Sequence, residues 1–223
     1  PLMVTCLLFY TLVAGLLIAI SYSLDAPMNQ FIDNMKVSRE WKNVEDMYVI
    51  SSFAEGDDVG TYAGTTNSLE RSMYNFYQRI SELPGVYIAQ GQFLNQESLD
   101  AVYGTYQHVP KKPFWYLKFS YNYLKDLGIP LSDEELLEMR NGTRLYLLPN
   151  TLNTEELEVM KAYLQESVTV KPGDLQTNFT ENPKFMFKVY QPSRSIFTWS
   201  DSISYGTTSE NPVIFVSTPE NLY

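Results

Sequence analysis

Cysteine is almost missing from this chain. The single one, Cys6, lies near the start, so no disulfide can form within the 223 residues. Ectodomains of oxidising animal compartments are commonly stapled, so a thiol-free domain fits the surface of a low-GC Gram-positive bacterium better. Histidine is equally scarce. His108 stands alone in GTYQHVPKK, with no thiol or carboxylate pair beside it in sequence, and reads as a surface-loop residue rather than a metal ligand or catalytic base. There is no G-x-S-x-G elbow and no G-x-x-x-x-G-K-[ST] loop, so the chain does not itself hydrolyse ATP. Cations are few: 16 Lys and Arg against 26 Asp and Glu give a net charge of -10. Their scatter along the chain argues against nucleic acid, which requires clustered positive charge. No pattern calls for a cofactor or a metal, and the chain reads as a non-enzyme.

What is present begins with an uncharged run, Leu2 to Ile20, followed by Tyr22 at an interfacial position. About 19 residues at roughly 1.5 Å each span about 28 Å, close to the bilayer hydrocarbon. A cleaved signal peptide would have a shorter apolar core and a small-residue cleavage site, so the run is expected to be an uncleaved transmembrane helix. The chain opens on Pro1 with no Lys or Arg before Leu2, so the positive-inside rule has nothing to act on, and a longer parent chain is expected. The expected organisation is a transmembrane helix over 1–24 and a stalk over 25–42. An extracytoplasmic α+β domain over 43–223 follows, as one unit or two subdomains.

Within the stalk, Met28, Phe31, Ile32 and Met35 recur at helical spacing after Pro27. Asp46 to Phe53 has strand composition and ends in the loop Glu55-Gly-Asp-Asp-Val-Gly60. Asn67 and Glu70 have capping-box spacing, and Leu69, Met73, Phe76, Ile80 and Leu83 predict one buried stripe, stopped by Pro84-Gly85. Strands are expected at 85–94, 114–121, 144–148, 184–190, 195–199 and 212–217. Helices are expected over 131–140, capped by Ser132 with Glu135 at the third position, and from Asn153, with Leu157, Met160 and Leu164 inward. The polar stretch 171–183 reads as a loop. This order predicts a mixed sheet with helices packed on one face.

Other clusters have plain explanations. Asp57 and Asp58 lack the alternating oxygen ligands and distal Glu of a calcium loop and read as a solvated turn. The acids at 133–138 complement a helix N-terminus. Two sequons, at Asn141 and Asn178, match a triplet that chance supplies often. The abundant aromatics divide between sheet core and a groove for a partner, with Tyr62, Tyr103 and Tyr106 in loop-like sequence.

Three segments carry a resemblance: SYNYLKDLGI (Ser120 to Ile129), RLYLLPNTLNTEEL (Arg144 to Leu157) and NPVIFVSTPENL (Asn211 to Leu222). With a strand-helix-strand opening directly after a membrane helix, the chain resembles the bacteriocin-associated integral membrane proteins, which look like FtsX-like or MacB-type ABC transporter permeases. Asn122, Tyr123 and Leu124, and Leu148 with Pro149, match its structural motifs. The resemblance implies a porter-like outer domain at the cell membrane, on the extracellular side, in contact with lipid. It also implies a separate ABC ATPase subunit, further membrane helices outside this chain, export of or immunity to an antimicrobial peptide by mechanical coupling, and a homodimer as a candidate assembly. For a cationic amphipathic peptide, the residues to consider first are Glu55, Asp57 and Asp58 for charge and Tyr62, Tyr103 and Tyr106 for apolar contact. The alternative from another class is the sensor or ligand-binding domain of a membrane-anchored receptor.

Overall fold

Val213, Ile214, Phe215 and Val216 form an unbroken apolar run, and such a run suits a strand buried on both faces. In the computed structural model it does lie at the centre of the sheet. The structure describes residues 27–29, 31–42, 44, 46–47, 67–81, 83–168, 183–200 and 205–222, together with Tyr10, Val13 and Ser23. Five strands form a mixed sheet: β1 (Ala89–Leu94), β2 (Phe114–Ser120), β3 (Arg144–Pro149), β4 (Phe185–Tyr190) and the C-terminal strand Val213–Ser217. Two short strands, β5 (Ile196–Phe197) and β6 (Thr208–Ser209), pair separately, which makes Val213–Ser217 β7. The order is β1-β2-β7-β3-β4, antiparallel between β1 and β2 and between β7 and β3, parallel between β2 and β7 and between β3 and β4.

Side chains alternate between the two faces along each strand, and both faces are apolar. One carries Trp115, Leu117, Phe119, Leu145, Leu147, Ile214 and Val216, and packs with Leu124 of α3 (Tyr121–Asp126), Met139 of α4 (Asp133–Arg140) and Ile196. The other carries Tyr146, Leu148, Val213 and Phe215, and packs with Leu99 of α2 (Gln96–Ala101) and with Met160, Tyr163 and Leu164 of α5 (Thr154–Glu166). The α+β class and the mixed sheet agree with the sequence reading. Placing the helices on one face does not: the fully apolar central strand requires cover on both sides, and helices supply it on both.

Helix α1 (Ser68–Ile80) also departs from expectation. Asn67 makes no capping hydrogen bond to the helix backbone; its Oδ1 instead accepts from Arg71 Nη2 at 3.1 Å. The expected stripe is not fully buried: Phe76 is 37% and Leu83 48% exposed, while Met73 and Ile80 are half-buried. The buried residue is Tyr77, whose hydroxyl donates to the Ser217 carbonyl at 2.8 Å and so fixes the helix to the end of β7. The strand foreseen from Gly85 starts at Ala89, because Val86 N–H donates to the Leu83 carbonyl at 3.2 Å and closes a turn.

The other two helix starts form as read. Ser132 Oγ accepts from Glu135 N–H at 3.2 Å while Glu135 Oε2 accepts from Ser132 N–H at 2.7 Å. Asn153 and Glu156 repeat the reciprocal pair at the head of α5. Past the end of α4, Gly142 takes a φ of 84°, the left-handed conformation that a helix stop needs.

The chain divides into two units, 1–49 with 202–207, and 50–201 with 208–223. In the first, residues 31–42 are helical, Lys36 pairs with Asp33 at 3.6 Å, and Met28, Phe31, Ile32 and Met35 are exposed. No helix among the described residues is long and apolar enough to cross a membrane. The run Leu2 to Ile20 lies outside them apart from Tyr10 and Val13, as do residues 48–53 of the strand expected over 46–53 and most of the 171–183 loop. Asp46 and Met47 sit in a turn and a bend.

Candidate functional site

β2 and β7 begin, and β3 ends, at one end of the sheet, and a groove of about 630 Å³ opens there. Its lining comes from four separate segments, the first of them β1 through Phe93. The approach to β2 gives Val109, Pro110 and Pro113, with Phe114 and Trp115 on the strand itself; Leu152, Val159 and Met160 come from the start of α5 and the turn before it; Ser209 to Asn211 close one side. Each segment is fixed for a local reason. Proline at 110 and 113 denies that stretch ladder donors and keeps it out of the sheet. Asn153 caps α5 immediately after the Pro149 strand end, so the first two turns of the helix stand over the opening.

Charge rims the groove in matched pairs. Lys112 Nζ donates to Glu156 Oε1 at 2.7 Å, and Lys111 lies 3.7 Å from Glu155. The Lys112 hydrogen bond, with help from the Asn153 backbone, holds the Glu156 carboxyl below its usual range. Glu210 forms no ion pair among the described residues, so the rim keeps a negative residue. A second hollow of about 390 Å³ adjoins the groove through Thr151, Glu210 and Asn211 and presents Arg194.

His108 is an exposed loop residue, but not an isolated one. Its Nδ1 is 2.6 Å from Glu166 Oε1, and Glu166 Oε2 accepts the backbone N–H groups of Gln107 and His108 at 2.7 and 3.1 Å. These bonds, with the His108 side chain first, keep the Glu166 carboxyl below its ordinary range. The last turn of α5 thus ties down the loop that forms one wall of the groove. Sequence reading saw no partner because Glu166 is 58 residues away.

Of the residues foreseen for peptide contact, the two that are described, Tyr103 and Tyr106, do not line the groove. Tyr103 and Tyr106 face each other across a single β-bridge. Tyr103 projects into solvent, 57% exposed, while the Tyr106 ring meets Tyr163 edge-on at 5.7 Å and supports α5 from outside the groove. Glu55, Asp57, Asp58 and Tyr62 lie outside the described residues. The groove residues were legible only as fragments: Lys111-Lys112-Pro113 as a turn and Met160 as part of a helix stripe. No group of His, Cys, Asp and Glu able to hold a metal occurs among the described residues. No family model, curated protein or solved structure matches the chain.

Proposed function

We propose that this chain is the first membrane span and the extracytoplasmic domain of an ABC-type permease that exports, or protects against, an antimicrobial peptide. In this reading the domain handles peptide by binding, and a separate ATPase subunit supplies the energy. The observation that carries the reading is the groove at the sheet end: apolar and aromatic on its floor, charged on its rim, with its walls on elements tied to the core. A cationic amphipathic peptide needs an apolar floor and a net negative rim, and the chain as a whole carries -10. The uncharged run Leu2 to Ile20 and the three permease-like segments supply the membrane half of the argument.

The test is calorimetric titration of the full chain, in detergent micelles, with a cationic bacteriocin-type peptide. Val159→Asp places a desolvated charge on the groove wall and should weaken binding about tenfold or more, the scale of one hot-spot residue. Tyr103→Ala, outside the groove, should leave it unchanged. Equal affinity for wild type and Val159→Asp would refute the groove as the peptide site.

A further inference from the structure

Lys118 and Arg144 stand on one face of the sheet, on the two strands that flank β7. Register sets the row: Lys118 pairs with Phe215, and Phe215 pairs with Tyr146. Arg144, two residues before Tyr146, turns its guanidinium back over the Phe215 ring, 5.8 Å from the centroid. The Tyr116 and Tyr146 phenols interact with each other, and the Arg144 guanidinium acts on both. Arg144 thus covers the Phe215 ring, Tyr146 packs against it at 5.1 Å between centroids, and register places Lys118 opposite it on the next strand.

Both cations are partly buried. Burial first, and the neighbouring Arg144 second, lower the Lys118 ammonium from its ordinary range. Neither side chain meets a carboxylate among the described residues, although acids outnumber bases in the chain by 26 to 16. Lysine and arginine withdrawn from water are normally paired, since desolvation without a counter-charge is expensive. Two of them side by side add like-charge repulsion. An anion placed between them removes both penalties at once.

We propose that Lys118 and Arg144 hold an oxyanion, the carboxylate or phosphate group of a ligand, with the Tyr146 hydroxyl as a neutral donor and the Phe215 ring as the floor. The planar fork of arginine donates to two oxygens while lysine supplies a point charge, the combination suited to an oxyanion rather than a halide. This site lies on the sheet face, further along β2 and toward the start of β3, away from the groove end. It stands on its own observations and does not depend on the peptide reading.

The probe is inorganic phosphate, titrated into the full chain in micelles with chloride at matched ionic strength and followed by calorimetry and thermal midpoint; acetate replaces phosphate in a parallel arm. Wild type should bind at least one of the two saturably and gain thermal stability from it. Lys118→Met and Arg144→Gln should each lose about tenfold or more in affinity, as expected for one charge-assisted hydrogen bond. Lys118→Met keeps the apolar stem and should fold at least as well as wild type without anion, so it decides the matter even if Arg144→Gln fails to fold. The proposal is overturned if neither anion binds wild type saturably, or if Lys118→Met binds as wild type does.

Discussion

A methyl group at position 91 would collide with the main chain that crosses it. A Cβ built on Gly91 would lie 1.8 Å from the Thr198 carbonyl oxygen and 2.9 Å from its carbon, and backbone cannot step aside as a side chain can. Gly91→Ala should therefore destabilise the domain by about 3 kcal/mol or more, at the upper end of overpacking costs, measured by urea denaturation; a loss of a few tenths would show that the segment after β5 can shift. Thr198 itself buries a hydroxyl that has no hydrogen-bond partner among the described residues. The isosteric substitution Thr198→Val removes this unsatisfied polar atom and should stabilise by about 1 kcal/mol in the same assay; a loss of stability would show that the hydroxyl is satisfied after all. Neither constraint was visible in sequence, because each depends on segments far apart in the chain meeting at van der Waals distance.

Among the helices, a cap written in the sequence need not be a cap in the fold. Ser132 and Asn153 make reciprocal hydrogen bonds with the glutamate three residues on, whereas the Asn67 side chain makes none to its helix backbone. Ser132→Ala and Asn153→Ala should each cost about 1 kcal/mol, and Asn67→Ala only a few tenths; equal losses at all three would contradict the assigned hydrogen bonds. The difference is physical. At 132 and 153 the chain enters the helix from extended backbone, which aims the cap oxygen at the helix N–H groups, while Asn67 has a φ of -114° and a ψ of 29° and does not. The strands at 114–120, 144–149, 185–190 and 213–217 were legible to within a residue or two because each is an apolar run bounded by turn residues. The six-residue helices α2 and α3 were not: one turn and a half gives no periodicity, and α3 is anchored by Asn122 donating its side-chain amide to the distant Val86 carbonyl.

The same helix ends predict the acid response. Partial burial pushes the Glu135 carboxyl up, but hydrogen bonds from Lys188 and Ser132 outweigh it and leave it low; Glu156 and Glu166 are held low by Lys112 and His108. A carboxylate with a depressed folded-state value stabilises fully above its unfolded value, about 4.3 for Glu, and loses that contribution as pH falls through the lower folded value. The thermal midpoint should fall as pH drops below about 4, less steeply in Glu135→Gln. A midpoint that rises through that window contradicts the sign.

At the scale of the whole molecule, the sequence conveyed the class of fold but not its layering. Local patterns report which residues want burial, not from which side the cover arrives, and β7 receives cover on both. The groove illustrates the same limit, since its walls come from Phe93, 109–115, 149–160 and 209–211 and meet only because parallel β2 and β7 begin beside the end of antiparallel β3. The proposal that peptide binds at this sheet end is decided by hydrogen–deuterium exchange of the full chain with and without a cationic bacteriocin-type peptide. It predicts slowed exchange over Val109 to Trp115 and Thr151 to Met160, with Tyr103 to Tyr106 unchanged. Protection confined to other segments, or none at saturating peptide, would contradict it.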